Sequence, residues 1–189
     1  MHCQIVRSGA RLGWPNRVTL ARAGLVAVLA AALIEPSLYR AQGWTVVGLA
    51  LLVLALDGVD GWLARRLDQC SDFGARFDME VDAALIMVLC VGAMTADLAG
   101  PWVLLIGLMR YAFLLAASIW SWLGATLRPS FRRKFVCVWQ VSALVLALMP
   151  IVKQTMGTGV LMSALVALIF SFAVDVAWLK RHSASPTAT

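Results

Sequence analysis

Six apolar stretches, each long enough for several helical turns, alternate with short polar segments along the chain. The apolar stretches cover residues 18–34, 44–67, 77–94, 102–122, 135–152 and 159–179. The segments 35–37, 99–101, 128–130 and 157–159 contain proline or glycine, which favours turns. Because a helix of about 20 apolar residues crosses a bilayer, the pattern predicts an all-α integral membrane protein with six transmembrane helices.

The composition supports the same class. Of the 189 residues, 61% are hydrophobic and 14% are charged, and the mean hydropathy is +0.84, whereas soluble domains are about 45–50% apolar and about 25% charged. Disordered, collagen-like, disulfide-rich and coiled-coil chains each need a different composition. We expect one six-helix domain over 18–181, a cytoplasmic juxtamembrane segment over 1–17 and a disordered tail over 182–189.

The basic residues predict the orientation in the membrane. With the N-terminus in the cytoplasm, the turns on the opposite side carry only Arg40 and Lys153, and the other loop arginines and lysines are cytoplasmic. This positive-inside bias puts both termini in the cytoplasm and accounts for the net charge of +6 without a nucleic-acid partner. Residues 1–17 mix arginines with apolar residues, which is typical of an amphipathic segment on that face. A cleavable signal peptide in the first 35 residues is the competing interpretation.

Most of the ten acidic residues lie where the second and third predicted spans meet. They are Asp57, Asp60, Asp68, Asp72, Asp78, Glu80 and Asp82. At a rise of about 1.5 Å per residue, Asp57 lies roughly 20 Å along a helix that begins at Trp44, inside the cytoplasmic half of the bilayer. Carboxylates at such a depth are expensive, so they indicate a functional site.

The spacing of four of these carboxylates predicts a metal site. Asp57 and Asp60 are three residues apart and Asp78 and Asp82 are four apart, so each pair shares a helix face. Two neighbouring helices can present all four to one cavity, where the like charges need a cation. Oxygen ligands without Cys or His select Mg²⁺, Mn²⁺ or Ca²⁺. Paired carboxylates suit two metals and the displacement of a phosphoryl group.

Small residues and one arginine accompany the carboxylates. Gly61, Ala64 and Gly74 leave room for a ligand against the backbone, although close helix packing alone also explains small residues. Arg65 adds a planar guanidinium that suits a phosphate.

Three other charged residues lie near or inside the predicted spans. Glu80 is off the shared faces, and we expect it to be solvated or paired with Arg66 or Arg76. Arg22 lies inside the first span, where an unpaired guanidinium is costly, so we expect it to pair with an acid of the cluster. Asp175 lies in the sixth span, and the sequence indicates no role for it.

The carboxylates and the small residues together resemble, position for position, the motif of the class I CDP-alcohol phosphatidyltransferases. In this sequence the motif reads Asp57-x2-Asp60-Gly61-x2-Ala64-Arg65-x8-Gly74-x3-Asp78-x3-Asp82. The resemblance implies an enzyme of phospholipid biosynthesis that transfers a phosphatidyl or other phospho-alcohol group from a CDP-activated donor, such as CDP-diacylglycerol, to the hydroxyl of an alcohol acceptor. CMP is released.

The same resemblance implies roles for the motif residues. Asp57, Asp60 and Asp78 would bind Mg²⁺ or Mn²⁺ in a two-metal site, and Asp82 would share metal binding with the role of general base. The residues that would bind the nucleotide part of the donor are Gly61, Ala64, Arg65 and Gly74. The resemblance also implies a homodimer surrounded by membrane lipids, in the inner or plasma membrane of a bacterium, with a cytoplasmic active site.

The entry to the first span adds two candidates for the donor site. Pro15-Asn16-x2-Thr19-x2-Arg22 resembles the segment that begins the first span in several branches of the family. Asn16 and Thr19 would then help to close the nucleotide site. A helix cap is the alternative for Asn16.

The acceptor is less well determined. Lys134-x2-Cys137-x2-Gln140 resembles the Lys-x-Lys-Thr-x-x-Gln segment of phosphatidylglycerophosphate synthases, with Val136 and Cys137 in place of its second Lys and its Thr. The basic run at residues 132–134 can hold a phosphate, and it makes glycerol 3-phosphate the leading acceptor, ahead of phosphatidylglycerol, serine, an inositol phosphate and choline. The basic residues expected to bind an anionic acceptor are Arg110, Arg132, Arg133 and Lys134, and a structural salt bridge is the alternative for Arg110.

A divalent-cation transporter is the competing function from another class. Transporters typically carry polar residues on both sides of the membrane midplane, in paired halves with broken helices. The acids of this sequence collect at one cytoplasmic junction, which favours the enzyme.

Overall fold

The structure, a computed structural model, describes residues 14–35, 37–67, 72–119 and 131–183, with some helical positions described by their backbone alone. These residues form helices and contain no strand, so the predicted all-α class is confirmed. The helices are α1 (Trp14–Ala31), α2 (Ser37–Ala41), α3 (Gly43–Leu67), α4 (Asp72–Thr95), α5 (Leu104–Ile119), α6 (Phe131–Leu148) and α7 (Gln154–Ser183). Short 3-10 turns at Ala32–Ile34 and Pro101–Val103 end α1 and precede α5.

Each of the six predicted apolar stretches coincides with one long helix, although several boundaries differ. Helix α1 begins at Trp14, inside the predicted juxtamembrane segment, and α7 extends to Ser183, past the predicted start of the tail. The rest of those two segments, 1–13 and 184–189, lies outside the described residues. The predicted turn at 128–130 lies outside them as well.

The turn predicted at 157–159 is wrong. These residues are helical, and the chain turns instead at 149–153. Pro150 explains the position, because proline disfavours the helical conformation of the residue before it. Gly157 belongs to the helix because it is a packing residue: a Cβ at this position would lie 3.6 Å from the Cβ of Ala147 on α6.

Helix α4 lies at the centre of the bundle. It packs against α1, α5 and α6, while α1 also packs against α3, and α6 against α3 and α7. Small residues at the contacts let the helix backbones approach closely; fully buried alanines among the described side chains are Ala50, Ala93, Ala143 and Ala164.

The end of the bundle where α1 meets α2 is closed by packing and by bonds to the backbone. The Tyr39 hydroxyl donates to the Leu29 carbonyl at 2.9 Å, and burial raises the pKa of Tyr39 to about 12. A Cβ on Gly92 of α4 would lie 2.2 Å from the Tyr39 ring, so only glycine fits there. Between the neighbouring turns, Gln154 Nε2 donates to the Asp97 carbonyl at 2.7 Å.

One described helix is long and apolar enough to cross a membrane by length and composition, namely residues Gln154–Lys180 of α7. The apolar parts of three others, Val18–Ile34, Gly43–Val59 and Pro101–Phe113, are shorter. The six-span arrangement therefore stays a prediction.

Candidate active site

Three of the four motif aspartates meet in the structure. Asp57 comes from α3, and Asp78 and Asp82 come from successive turns of α4. One carboxylate oxygen from each lies within 4.8 Å of the other two, and each residue is half-buried. The backbone of Asp60 follows one turn after Asp57 on α3, but its side chain lies outside the described part.

Arg22 of α1 lies among these carboxylates and contacts all three. Its Nη1 is 2.9 Å from Asp57 Oδ1 and also donates to Asp78 Oδ1, while Nη2 donates to Asp82 Oδ1. The Arg22 side chain is completely buried. Because α1 packs against both α3 and α4, its guanidinium can bridge carboxylates of two helices. The structure therefore shows that Arg22 pairs with acids of the cluster, as the sequence predicted.

The charge of the three carboxylates exceeds that of the single guanidinium. Like charges at such separations repel one another, and the repulsion is stronger where water is partly excluded, so the cluster retains a demand for positive charge. Its donors are all oxygens and no described Cys or His joins them, which fits the preference of Mg²⁺ and Mn²⁺. The residues present therefore suit a divalent cation.

The other motif residues lie along the same two helices. Gly61, Ala64 and Arg65 continue α3 beyond Asp57, with side chains outside the described part, and Gly74 is in the first turn of α4. On α1, Thr19 is buried and lies one turn before Arg22, on the same face. The side chain of Asn16 is not among those described.

Arg110 and Arg132, both proposed for the acceptor, have carboxylate partners. Arg110 Nη2 donates to Glu80 Oε1 at 2.8 Å. Glu80 therefore pairs across to α5 while 54% of its side chain stays exposed, and the side chains of Arg66 and Arg76, its other expected partners, lie outside the described part. Arg132 donates to Asp175, linking the first turn of α6 to α7. Arg133 is half-buried, and the side chain of Lys134 lies outside the described part.

The Arg132–Asp175 pair gives Asp175 a partner that sequence reasoning missed. Trp139 and Ser163, joined by a 3.3 Å hydrogen bond, each lie ten residues from the turn at 149–153, as expected at one level of an antiparallel hairpin. Arg132 and Asp175 lie 17 and 22 residues from that turn, so counting from the turn does not pair them.

A further buried polar group lies on α6. Gln140 is 5% exposed, and its Nε2 has no hydrogen-bond partner among the described residues. Helix α6, which carries this amide, packs against α3 and α4, the two helices that carry the aspartates.

Comparison with known proteins agrees with this geometry. Residues 12–176 match the family model described as CDP-alcohol phosphatidyltransferase. Over 107 residues the chain is 36% identical to a Streptomyces coelicolor protein named "Cardiolipin synthase (CMP-forming)". That alignment covers 53% of this chain and 47% of the relative, so the chain spans about half the length of the relative that it matches. No solved structure matches the chain. Because the family model covers most of the sequence and includes the whole aspartate cluster, the chain belongs to the CDP-alcohol phosphatidyltransferase family.

Proposed function

We propose that the protein is a metal-dependent transferase of phospholipid biosynthesis that moves a phosphatidyl group from CDP-diacylglycerol to an alcohol acceptor and releases CMP. The observation that carries the proposal is the meeting of Asp57, Asp78 and Asp82 in one half-buried cluster. Family membership supports the reaction class, since the matched region contains all three residues.

In the proposed reaction each aspartate of the motif has a role. Asp57, Asp60 and Asp78 would hold Mg²⁺ or Mn²⁺ in a two-metal site, and Asp82 would share in that binding. The bound metal would neutralise the pyrophosphate and make CMP a better leaving group. Asp82 accepts the proton of the acceptor hydroxyl as the acceptor oxygen bonds to phosphorus. The bond from phosphorus to the CMP oxygen breaks, and CMP keeps its electron pair.

We assign the donor's nucleotide to the surface around the motif's small residues. Gly61, Ala64 and Gly74 present backbone without bulky side chains, and Arg65 offers a fork of donors to phosphate oxygens. Asn16 and Thr19 would close the site from α1. Thr19 supports this assignment because it shares a buried face with Arg22, which contacts the aspartates directly.

For the acceptor we propose phosphatidylglycerol. The relative from Streptomyces coelicolor is named as a CMP-forming cardiolipin synthase, and making cardiolipin with release of CMP requires transfer of a phosphatidyl group to phosphatidylglycerol. The charges agree, because Glu80 and Asp175 already partner Arg110 and Arg132. The site then offers less positive charge to a phosphate dianion than the sequence suggested.

Glycerol 3-phosphate is the second candidate acceptor. It is favoured by the basic run that includes Arg132, Arg133 and Lys134 at the start of α6, since such a run can hold a phosphate beside the aspartates. The other alcohols considered, namely serine, inositol phosphate and choline, have no comparable support.

We further propose that the protein is an integral membrane protein with six spans, one domain over 18–181, cytoplasmic termini and an active site open to the cytoplasm. Large apolar side chains point outward from all the long helices, which is unusual for a soluble surface; examples are Leu20, Leu51, Met79, Leu115, Val138 and Phe170. A bacterial inner or plasma membrane fits the bacterial relative. The homodimer implied by the family is part of this proposal, and light scattering of the purified protein measures it.

The deciding experiment is CMP release by purified protein in lipid nanodiscs with CDP-diacylglycerol, Mg²⁺ or Mn²⁺ and one acceptor at a time. We expect CMP and cardiolipin with phosphatidylglycerol, and no release with EDTA. Formation of phosphatidylglycerophosphate from glycerol 3-phosphate, without formation of cardiolipin, would show that glycerol 3-phosphate is the acceptor in place of phosphatidylglycerol. If no acceptor led to CMP release, the proposal that the protein is this transferase would be contradicted. Uptake of Mn²⁺ into proteoliposomes would then favour a transporter.

A further inference from the structure

Arg22 occupies the position in the cluster where a cation is needed. It is completely buried, and its two terminal nitrogens contact one oxygen each of Asp57, Asp78 and Asp82. The same three residues form the one group of potential metal ligands among the described parts of the chain. A guanidinium and a divalent cation would therefore use the same oxygens.

The three carboxylate oxygens surround the guanidinium. They lie within 4.8 Å of one another, and Arg22 Nη1 and Nη2 contact all three. A metal ion bound at about 2.1 Å to these oxygens would need the space in which the two Arg22 nitrogens lie. The two cations therefore cannot make all three contacts at once.

We propose that Arg22 is an internal counter-ion that competes with the divalent cation for Asp57, Asp78 and Asp82. In the metal-free protein it neutralises part of the buried charge and ties α1 to α3 and α4. Metal binding displaces it from at least part of these contacts. This inference rests on the proposed function only in taking the aspartates as metal ligands.

The competition has a direct electrostatic consequence. A fixed positive charge within hydrogen-bond distance of the ligands opposes the entry of a second cation, and the opposition is large where water is excluded. Removing the charge should therefore tighten metal binding while it destabilises the metal-free protein. A purely structural salt bridge predicts the opposite for metal binding, because a loosened cluster would bind more weakly.

The test is Mn²⁺ binding to the purified full-length protein without lipid substrate, measured from the electron paramagnetic resonance signal of free Mn²⁺. We expect Arg22→Gln to bind Mn²⁺ at least about tenfold more tightly than the wild type. Thermal unfolding in EDTA should occur at a lower temperature in this variant, and Mn²⁺ should raise its unfolding temperature more than that of the wild type. Equal or weaker Mn²⁺ binding by the folded variant would overturn the proposal.

Two controls make the result specific. Arg132→Gln removes a different arginine–carboxylate pair, between α6 and α7, and should leave Mn²⁺ affinity unchanged. Asp57→Asn added to Arg22→Gln should abolish the gain, which shows that the metal uses the cluster. Tighter Mn²⁺ binding by Arg132→Gln, or a gain that survives Asp57→Asn, would overturn the proposal.

Arg22→Lys keeps the experiment decisive if the glutamine variant does not fold. A compact ammonium cannot reproduce the two-nitrogen fork that contacts three carboxylates, so a smaller tightening in the same direction is expected. Unchanged affinity in the lysine variant would count against competition. Because Mn²⁺ binding does not require catalysis, tighter binding without CMP release would refute the proposed function alone. Metal-dependent CMP release with unchanged affinity would refute this inference alone.

Discussion

The two halves of helix α4 are held in the bundle by different interactions, the first by ion pairs and the second by apolar packing. Its first half presents Asp78, Glu80 and Asp82, and each of them has an arginine partner on another helix. Its second half is apolar, with Leu89 and Ala93 fully buried. The charged half is held by a few directional ion pairs to arginines on other helices. The apolar half is held by close fit, which stabilises the bundle and performs no chemistry.

The difference shows how the bundle can tolerate a cluster of carboxylates. Packing at the apolar half fixes the helices, so that repulsion at the charged half cannot separate them. Arg22 reduces this repulsion further by contacting three carboxylates at once. Substitutions in the charged half should therefore change activity, and substitutions in the apolar half should change stability.

The largest expected effect is at Asp78. Asp78→Asn removes a charged metal ligand but keeps the size of the side chain, so CMP release should fall by roughly a thousandfold or more. The unfolding temperature should change little, because the loss of one contact to Arg22 is offset by less repulsion within the cluster. Steady-state CMP release and thermal unfolding of the same preparation measure both quantities. A much lower unfolding temperature together with unchanged CMP release would contradict the comparison between the two halves.

An intermediate effect is expected at Gly92 in the apolar half. A Cβ here would lie 2.2 Å from the Tyr39 ring, and Gly92→Ala should lower the free energy of unfolding by about 1–3 kcal/mol through overpacking. The matched control is Gly48→Ala on α3, where a Cβ meets no atom within 4 Å. Alanine should stabilise the helix there by up to about 1 kcal/mol. Equal unfolding temperatures for the two variants would show that Tyr39 moves aside freely.

The smallest effect is expected at Glu80, which belongs to the charged half but lies off the face of Asp78 and Asp82. The side chain is 54% exposed and its partner Arg110 is 35% exposed, so the pair should contribute less than about 1 kcal/mol. Glu80→Gln should leave CMP release within about threefold of the wild type. A double-mutant cycle with Arg110→Gln measures the coupling. Loss of activity in Glu80→Gln alone would extend the site to this face.

The aspartate cluster could be predicted because helical periodicity fixes which residues share a face. Asp78 and Asp82 are one turn apart, and the structure places their carboxylates together with that of Asp57. The partners of Glu80 and Asp175 could not be read in the same way. Their arginines are 30 and 43 positions distant in the chain, and such pairings depend on which helices become neighbours.

The turn at 149–153 shows a similar limit. Gly157 looked like a helix breaker because glycine is common in turns, yet it lies inside α7, where it packs against Ala147. Whether a glycine ends a helix or admits a neighbouring helix depends on what approaches it. Local sequence does not contain that information.

By itself, the sequence determined the helical class, the six apolar stretches and the identity of the residues that hold negative charge, because periodicity and hydropathy act over a few turns. The sequence also predicted that Arg22 pairs with an acid of the cluster, but tertiary structure alone decided that it contacts three of them at once. Arg22 reaches Asp57, Asp78 and Asp82 only because α1 packs between the helices that carry them. In a buried site, attraction between charges depends on distance in space, and that distance is set by the packing of helices remote in the chain.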